Sequence, residues 1–239
     1  DSCDLSNSGH YVPSSGSTTE SPCPATAYNT EFGSSSSTDC IDSDSGHFAP
    51  EEGLANQIPC PPGEYQGLTA QLSCVLSDPG HYVPSYASVT QIPCSPGTFQ
   101  GDSGQVACRI SSPGTFVSLA ASTSETDCSP GTYQPENGST RCFESEAGYF
   151  VLNYASTFQS ECGIGTFQPQ QGQSVCEIAD EGHYVEWPAS NSQAPCSPGT
   201  YNPNTGSTNL TDCINAAEGH YVDWEGAGEQ IPCELGTFQ

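Results

Sequence analysis

Cys94-Ser-Pro-Gly-Thr-Phe-Gln-Gly-Asp-Ser-Gly-Gln-Val-Ala-Cys108 is answered 34 residues on by Cys128-Ser-Pro-Gly-Thr-Tyr-Gln-Pro-Glu-Asn-Gly-Ser-Thr-Arg-Cys142. Each stretch opens on Pro-Gly, where proline presets φ and glycine accepts the positive φ of a type II turn. The same pair stands at 62–63 and 198–199. A brief alternation then follows, Thr98-Phe99-Gln100 or Thr132-Tyr133-Gln134, one aromatic between polar neighbours. It predicts a short strand, about three to five residues, with the ring on one face.

Outward from this stretch, the aromatics Tyr11, Tyr28, Phe48, Tyr65, Tyr82, Phe99, Phe116, Tyr133, Phe150, Phe167, Tyr184, Tyr201, Tyr221 and Phe238 recur every 17 residues, with two steps of 20. A glycine lies two residues before every one of them except Tyr28, where Thr26 stands instead. Half-repeats with Gly-His-Tyr-Val, at 80–83, 182–185 and 219–222, alternate with the Pro-Gly ones. Both longer steps arise from an extra triplet between a glycine and a cysteine, in Gly33-Ser-Ser-Ser-Ser-Thr-Asp-Cys40 and Gly206-Ser-Thr-Asn-Leu-Thr-Asp-Cys213. A polar loop tip absorbs such a triplet cheaply.

The expected architecture is a small all-β, disulfide-rich tandem repeat, an elongated, solenoid-like ladder of short strands and turns without a helix of note. It is one continuous array over residues 1–239, in units 1–39, 40–73, 74–107, 108–141, 142–175, 176–212 and 213–239, the last truncated, each of two 17-residue halves. Each ring is expected to pack on the glycine and disulfide of the adjacent half-repeat, contributing roughly 1.5–3 kcal/mol.

Composition narrows the function. With 33% hydrophobic residues the chain buries less core than its length ordinarily allows, and 14 cysteines without a single methionine point to an oxidising, extracellular or cell-surface setting. A net charge of −26, with two basic residues, Arg109 and Arg141, excludes nucleic acid as a partner and opposes anionic lipid. No apolar run reaches the 18 residues of a membrane span, so no membrane insertion is expected, and no signal peptide precedes Asp1, which places the true start elsewhere or implies a cleaved leader. No nucleophile beside a base, paired-carboxylate signature or phosphate-cradling loop stands outside the repeats, so neither an enzyme nor a cofactor is expected.

Spacing leaves the disulfides open between spans of 14 residues, such as Cys94 with Cys108, and of 20, such as Cys74 with Cys94. The Cys-Ser-Pro-Gly-Thr-aromatic-Gln phrases, each followed by a cysteine 14 residues on, resemble the cysteine-rich modules of ephrin receptors and tumour necrosis factor receptors. That resemblance implies rods of small loops and the shorter pairing: Cys23–Cys40, Cys60–Cys74, Cys94–Cys108, Cys128–Cys142, Cys162–Cys176 and Cys196–Cys213. It leaves Cys3 and Cys233 without partners within the chain. Those receptors carry further cysteines between such segments, whereas this chain has two per 34 residues, so receptor function does not carry over. The phrases Gly-His-Tyr-Val, Gln-Ile-Pro-Cys and Pro-Gly-Thr-Tyr also look like the repeat regions of giant microbial surface proteins, which implies a stalk, fibre or adhesin.

Candidate sites are few. Asn137-Gly-Ser139 and Asn209-Leu-Thr211 are N-glycosylation sequons in expected loops, and the hydroxyl tracts 14–19 and 34–38 suit O-linked sugar. His10, His47, His81, His183 and His220 share the position before the ring, and one imidazole per repeat makes a surface row rather than a chelate. Asp39, Asp42 and Asp44 before Gly46 leave low-affinity calcium as an expectation, weighed against a charged face because the later bidentate glutamate of a full calcium loop is missing. Trp187 and Trp224 occupy equivalent positions suited to sugar stacking or fibre contact. The function expected is a structural subunit of an extracellular filament, stalk or surface fibre, self-associating or continued along the chain and carrying covalent glycans. The alternative is an adhesin or receptor-like module, for which residues 150–162, with Leu152, Tyr154 and Phe158, form the most apolar departure.

Overall fold

A computed structural model describes residues 3–238. It is a small all-β, disulfide-rich repeat: thirteen antiparallel strand pairs, every strand two residues long, with two three-residue 3₁₀ turns as the remaining regular structure. The strands are shorter than the alternation predicts. Each hairpin has only one ring-bearing residue pair to place before its loop begins, and the following residue turns its backbone to the next hairpin instead. Among the described residues no helix is long and apolar enough to cross a membrane.

One hairpin defines the rest. Ser95-Pro96-Gly97-Thr98 closes a turn through the Thr98 N–H donating to the Ser95 carbonyl at 3.0 Å, with Gly97 at φ +85° as a type II turn requires. Thr98–Phe99 then pairs with Arg109–Ile110, in the register Thr98↔Ile110 and Phe99↔Arg109. Every hairpin repeats this plan and can be identified by its turn residue, from Gly9 through Thr26 to Gly219. Thr26 adopts the glycine conformation at φ +82°.

The chain forms two compact units, Asp1–Ile110 with Val117–Glu125, and Ser111–Phe116 with Thr126–Gln239. In the first, successive hairpins are joined main chain to main chain: Gly63 N–H donates to Val83 O at 2.8 Å, Gly80 N–H to Gln100 O at 2.7 Å and Val83 N–H to Gln105 O at 2.9 Å. Each loop also reaches back, as Ala87 N–H does to Cys60 O and Gly104 N–H to Ser77 O, both at 2.9 Å. The second unit uses the same bonds, with Gly148 N–H on Gln168 O, Gly165 N–H on Val185 O and Ala189 N–H on Cys162 O. Backbone groups that two-residue strands leave over are therefore satisfied by neighbouring hairpins.

The buried line differs from the expected ring ladder. Of the thirteen rings at the repeat position from Tyr11 to Tyr221 only Phe167 is buried, and the others are half-buried or, for Tyr221, exposed. The fully enclosed positions are the residue three before the turn glycine, alternately cysteine and serine or alanine, and the residue three after it, alternately valine or alanine and glutamine or asparagine. The turn glycine does not face a ring either. A Cβ on Gly114 would meet the backbone of Ala155, 2.7 Å from its carbonyl carbon. Backbones this close leave room at the centre for small or flat side chains, so the rings lie toward the surface.

Candidate functional site

The distinctive chemistry is the way each hairpin is closed, and two solutions alternate. In one set a disulfide joins the residue three before the turn glycine to the residue just before the second strand: Cys23–Cys40, Cys60–Cys74, Cys94–Cys108, Cys128–Cys142, Cys162–Cys176 and Cys196–Cys213. In each bridge the first cysteine is completely buried and the second half-buried. Closing loops of this length stabilises by about 3 kcal/mol on the chain-entropy account. Cys3 is exposed and Cys233 half-buried, both as free thiols.

In the other set an amide stands where the second cysteine would be. Gln57 accepts the Asp44 N–H on Oε1 at 2.6 Å and returns an Nε2 hydrogen bond to Oδ2 of Asp44 at 2.8 Å. Gln91 holds Asp78 and Gln193 holds Asp180 in the same reciprocal clasp. In the Gly9 hairpin the clasp is a carboxylate, Glu20, accepting from the main-chain and side-chain N–H groups of Asn7 at 2.8 and 2.9 Å. Those bonds, chiefly the side-chain one, and the nearby His10 hold the Glu20 carboxyl below the ordinary glutamate range. The buried cysteine is replaced in these hairpins by a buried serine, or by Ala179 in the Gly182 hairpin. Ser77 Oγ accepts the Gln105 N–H at 3.0 Å and Ser145 Oγ the Gln173 N–H at 3.0 Å, tying each hairpin to the next loop without a covalent bond.

The buried amides set the loops. Gln100, 2% exposed, donates Nε2–H to Ala107 O at 3.0 Å and accepts the Asp102 N–H on Oε1 at 3.1 Å, so one side chain staples both ends of a nine-residue loop. Gln66, Gln134 and Gln168 repeat it. The two loops with the extra triplet use the shorter asparagine: Asn29 and Asn202 donate to the buried Ser34 and Ser207 hydroxyls. The triplet itself folds into a capped 3₁₀ turn, Ser37–Asp39 or Leu210–Asp212, with Ser36 or Asn209 as N-cap and an aspartate closing the capping box. The expected polar tip is thus a built turn.

Other candidate residues fall as follows. Asn137 and Asn209 are both exposed in loops. Asn209 Oδ1 accepts from the N–H and hydroxyl of Thr211 at 3.0 and 3.1 Å. The five histidines each turn Nδ1 to the carbonyl oxygen two residues back, 3.0 Å away for His183. Asp39 caps its 3₁₀ turn and Asp44 is held by Gln57, and no group of three or more His, Cys, Asp or Glu among the described residues is placed to hold a metal ion. Trp187 and Trp224 stand at equivalent loop tips, 69% and 41% exposed.

What these features define is a disulfide-rich repeat protein of the β-hairpin kind, its disulfide-closed hairpins alternating with ones held by hydrogen-bonding side chains. Compared with known proteins, the chain matches no family model and no curated relative.

Proposed function

We propose that this chain is a structural subunit of an extracellular filament, stalk or surface fibre. The observation that supports the reading is the repetition itself: one hairpin, joined to its successor by the same pair of main-chain hydrogen bonds, with disulfide-closed hairpins alternating with ones that have no disulfide. Such a unit has no dependence on a distant partner in the chain, which is what an extendable load-bearing element needs. The same reading makes the protein non-catalytic and places it outside the cell, where its bridges persist. It also makes the exposed Asn137 and Asn209 glycan carriers whose sugars face water.

Electron microscopy of native, unreduced material tests it. Thin filaments with a regular axial repeat support the fibre, and separate compact particles overturn it. A second reading, an adhesin or receptor-like binding module, is favoured by the exposed Leu152, Tyr154, Phe158 and Trp187. It predicts monomeric particles that retain a soluble partner.

A further inference from the structure

The Gly148, Gly182 and Gly219 hairpins of the second unit all belong to the set without a disulfide, and their loop tips carry exposed apolar side chains. Leu152 and Tyr154 are 58% and 68% exposed, and Trp187 and Trp224 follow at the next two tips. The tips are in register. The Ala189 carbonyl, two residues after Trp187, lies against the Gly148 turn, and the Gly226 carbonyl, two residues after Trp224, lies against the Gly182 turn. Each tip therefore docks on the preceding hairpin of its kind in the same place, with the two indoles at matching positions and Tyr154 one residue further along its own tip.

The rings are held by rigid backbone. Ala189 N–H is bonded to Cys162 O and Gly226 N–H to Cys196 O, both at 2.9 Å, so each tip is anchored to a disulfide-bonded cysteine. The Trp187 carbonyl further accepts the Ser190 hydroxyl at 2.6 Å. Preorganised aromatic side chains lose little entropy on binding.

Charge then selects the occupant. Glu186 precedes Trp187, and Asp223 and Glu225 flank Trp224, all exposed. An anionic ligand is repelled, a second copy of a chain with net charge −26 likewise, and a neutral apolar surface would desolvate the carboxylates without pairing them. An arginine-rich polypeptide meets both features, its guanidinium planes stacking on the indoles while their N–H groups pair with the adjacent carboxylates. From this we infer that the loop tips at Tyr154, Trp187 and Trp224 form a docking row for an arginine-rich polypeptide. The inference is independent of whether the protein forms a fibre.

The chain's two tryptophans both lie in the row, so intrinsic fluorescence reads the site directly. Nona-arginine titrated into the full-length, disulfide-intact chain at moderate salt should shift tryptophan emission saturably. Trp187→Ala, read through Trp224, should weaken binding about tenfold, while Trp187→Phe, which keeps a ring, should weaken it less. The triple change Glu186→Gln, Asp223→Asn, Glu225→Gln should weaken it further than an equal loss of charge at Asp42, Glu51 and Glu52 in the first unit. Equal effects of the two triple changes, or unaltered affinity in Trp187→Ala, overturn the proposal in favour of diffuse charge attraction. An emission response to a neutral oligosaccharide with none to nona-arginine overturns it in favour of a sugar platform.

Discussion

Gly114 and Gly172 both hold a left-handed backbone, at φ +84° and +70°, but a Cβ on Gly114 would lie 2.7 Å from the Ala155 carbonyl carbon and 3.2 Å from its Cα, whereas one on Gly172 would meet only the Glu144 side chain, at an ordinary contact distance of 3.6 Å. Alanine at either site incurs the left-handed cost of about 1–2 kcal/mol, offset by roughly 0.4–1 kcal/mol from a stiffer unfolded chain. Gly172→Ala is thus expected to destabilise by at most about 1.6 kcal/mol. At Gly114 the obstacle is main chain, which cannot rotate away, and its displacement adds about 1–3 kcal/mol of overpacking. It also pulls on the Ala155 N–H···O Cys128 bond of 2.9 Å, whose loss adds about 0.5–1.5 kcal/mol. Gly114→Ala should therefore destabilise by about 1.5–6 kcal/mol. Because a repeat array can unfold in parts, the measurement pairs denaturant unfolding, disulfides intact, with hydrogen exchange at the Ala155 amide. That amide should lose protection in Gly114→Ala and keep it in Gly172→Ala. Two variants equal within about 0.5 kcal/mol would show that the glycine serves φ alone and refute the close-approach argument.

Other outcomes follow from the closures. Gln100→Ala should cost about 1–3 kcal/mol by leaving the Asp102 N–H and Ala107 carbonyl without their partner, read as faster exchange of the Asp102 amide. Replacing Cys60 and Cys74 together by alanine should cost about 3 kcal/mol in thermal or denaturant unfolding, with the neighbouring amide-closed hairpins still folded. Ala87→Gly, at φ +54°, should stabilise by about 0.5 kcal/mol, since relief of the left-handed cost slightly exceeds the added unfolded-chain entropy. Glu20 should titrate below ordinary glutamates by NMR, and Asn7→Ala should raise it. With the folded value depressed, the clasp contributes above the ordinary glutamate pKa and fades as pH falls through the lowered one.

The hairpin was legible in the sequence because its determinants are local. Pro-Gly and Gly-His-Tyr-Val state the turn, the ring and the period, and the turn at Ser95–Thr98 needs nothing beyond its own four residues. The alternation of cysteine with serine or alanine, and of glutamine or asparagine with valine or alanine, was also on the page, yet its meaning was not. Nothing in Gln57 or Gln91 says that an amide takes the place of a cysteine until the register sets it beside Asp44 or Asp78. Spacing allowed Cys94 to close either 14 or 20 residues. In the structure it bridges to Cys108, the residue just before the second strand of the same Gly97 hairpin, while Cys74 belongs to the Gly63 hairpin, two before it.

Misplacing the rings in the core had a physical cause as well. Hydrophobicity ranks Tyr and Phe as the natural fillers, but volume at the centre is decided by how closely the backbones approach, and that distance is a property of packed hairpins rather than of any one repeat. Sequence alone thus determined the repeating unit, its turn, its period and its acidic, cysteine-rich chemistry, all set by neighbours along the chain. Only the tertiary structure decided which residues are enclosed, which side chains close each hairpin and which rings face water, because those depend on hydrogen bonds and carbonyl contacts between hairpins 17 or more residues apart.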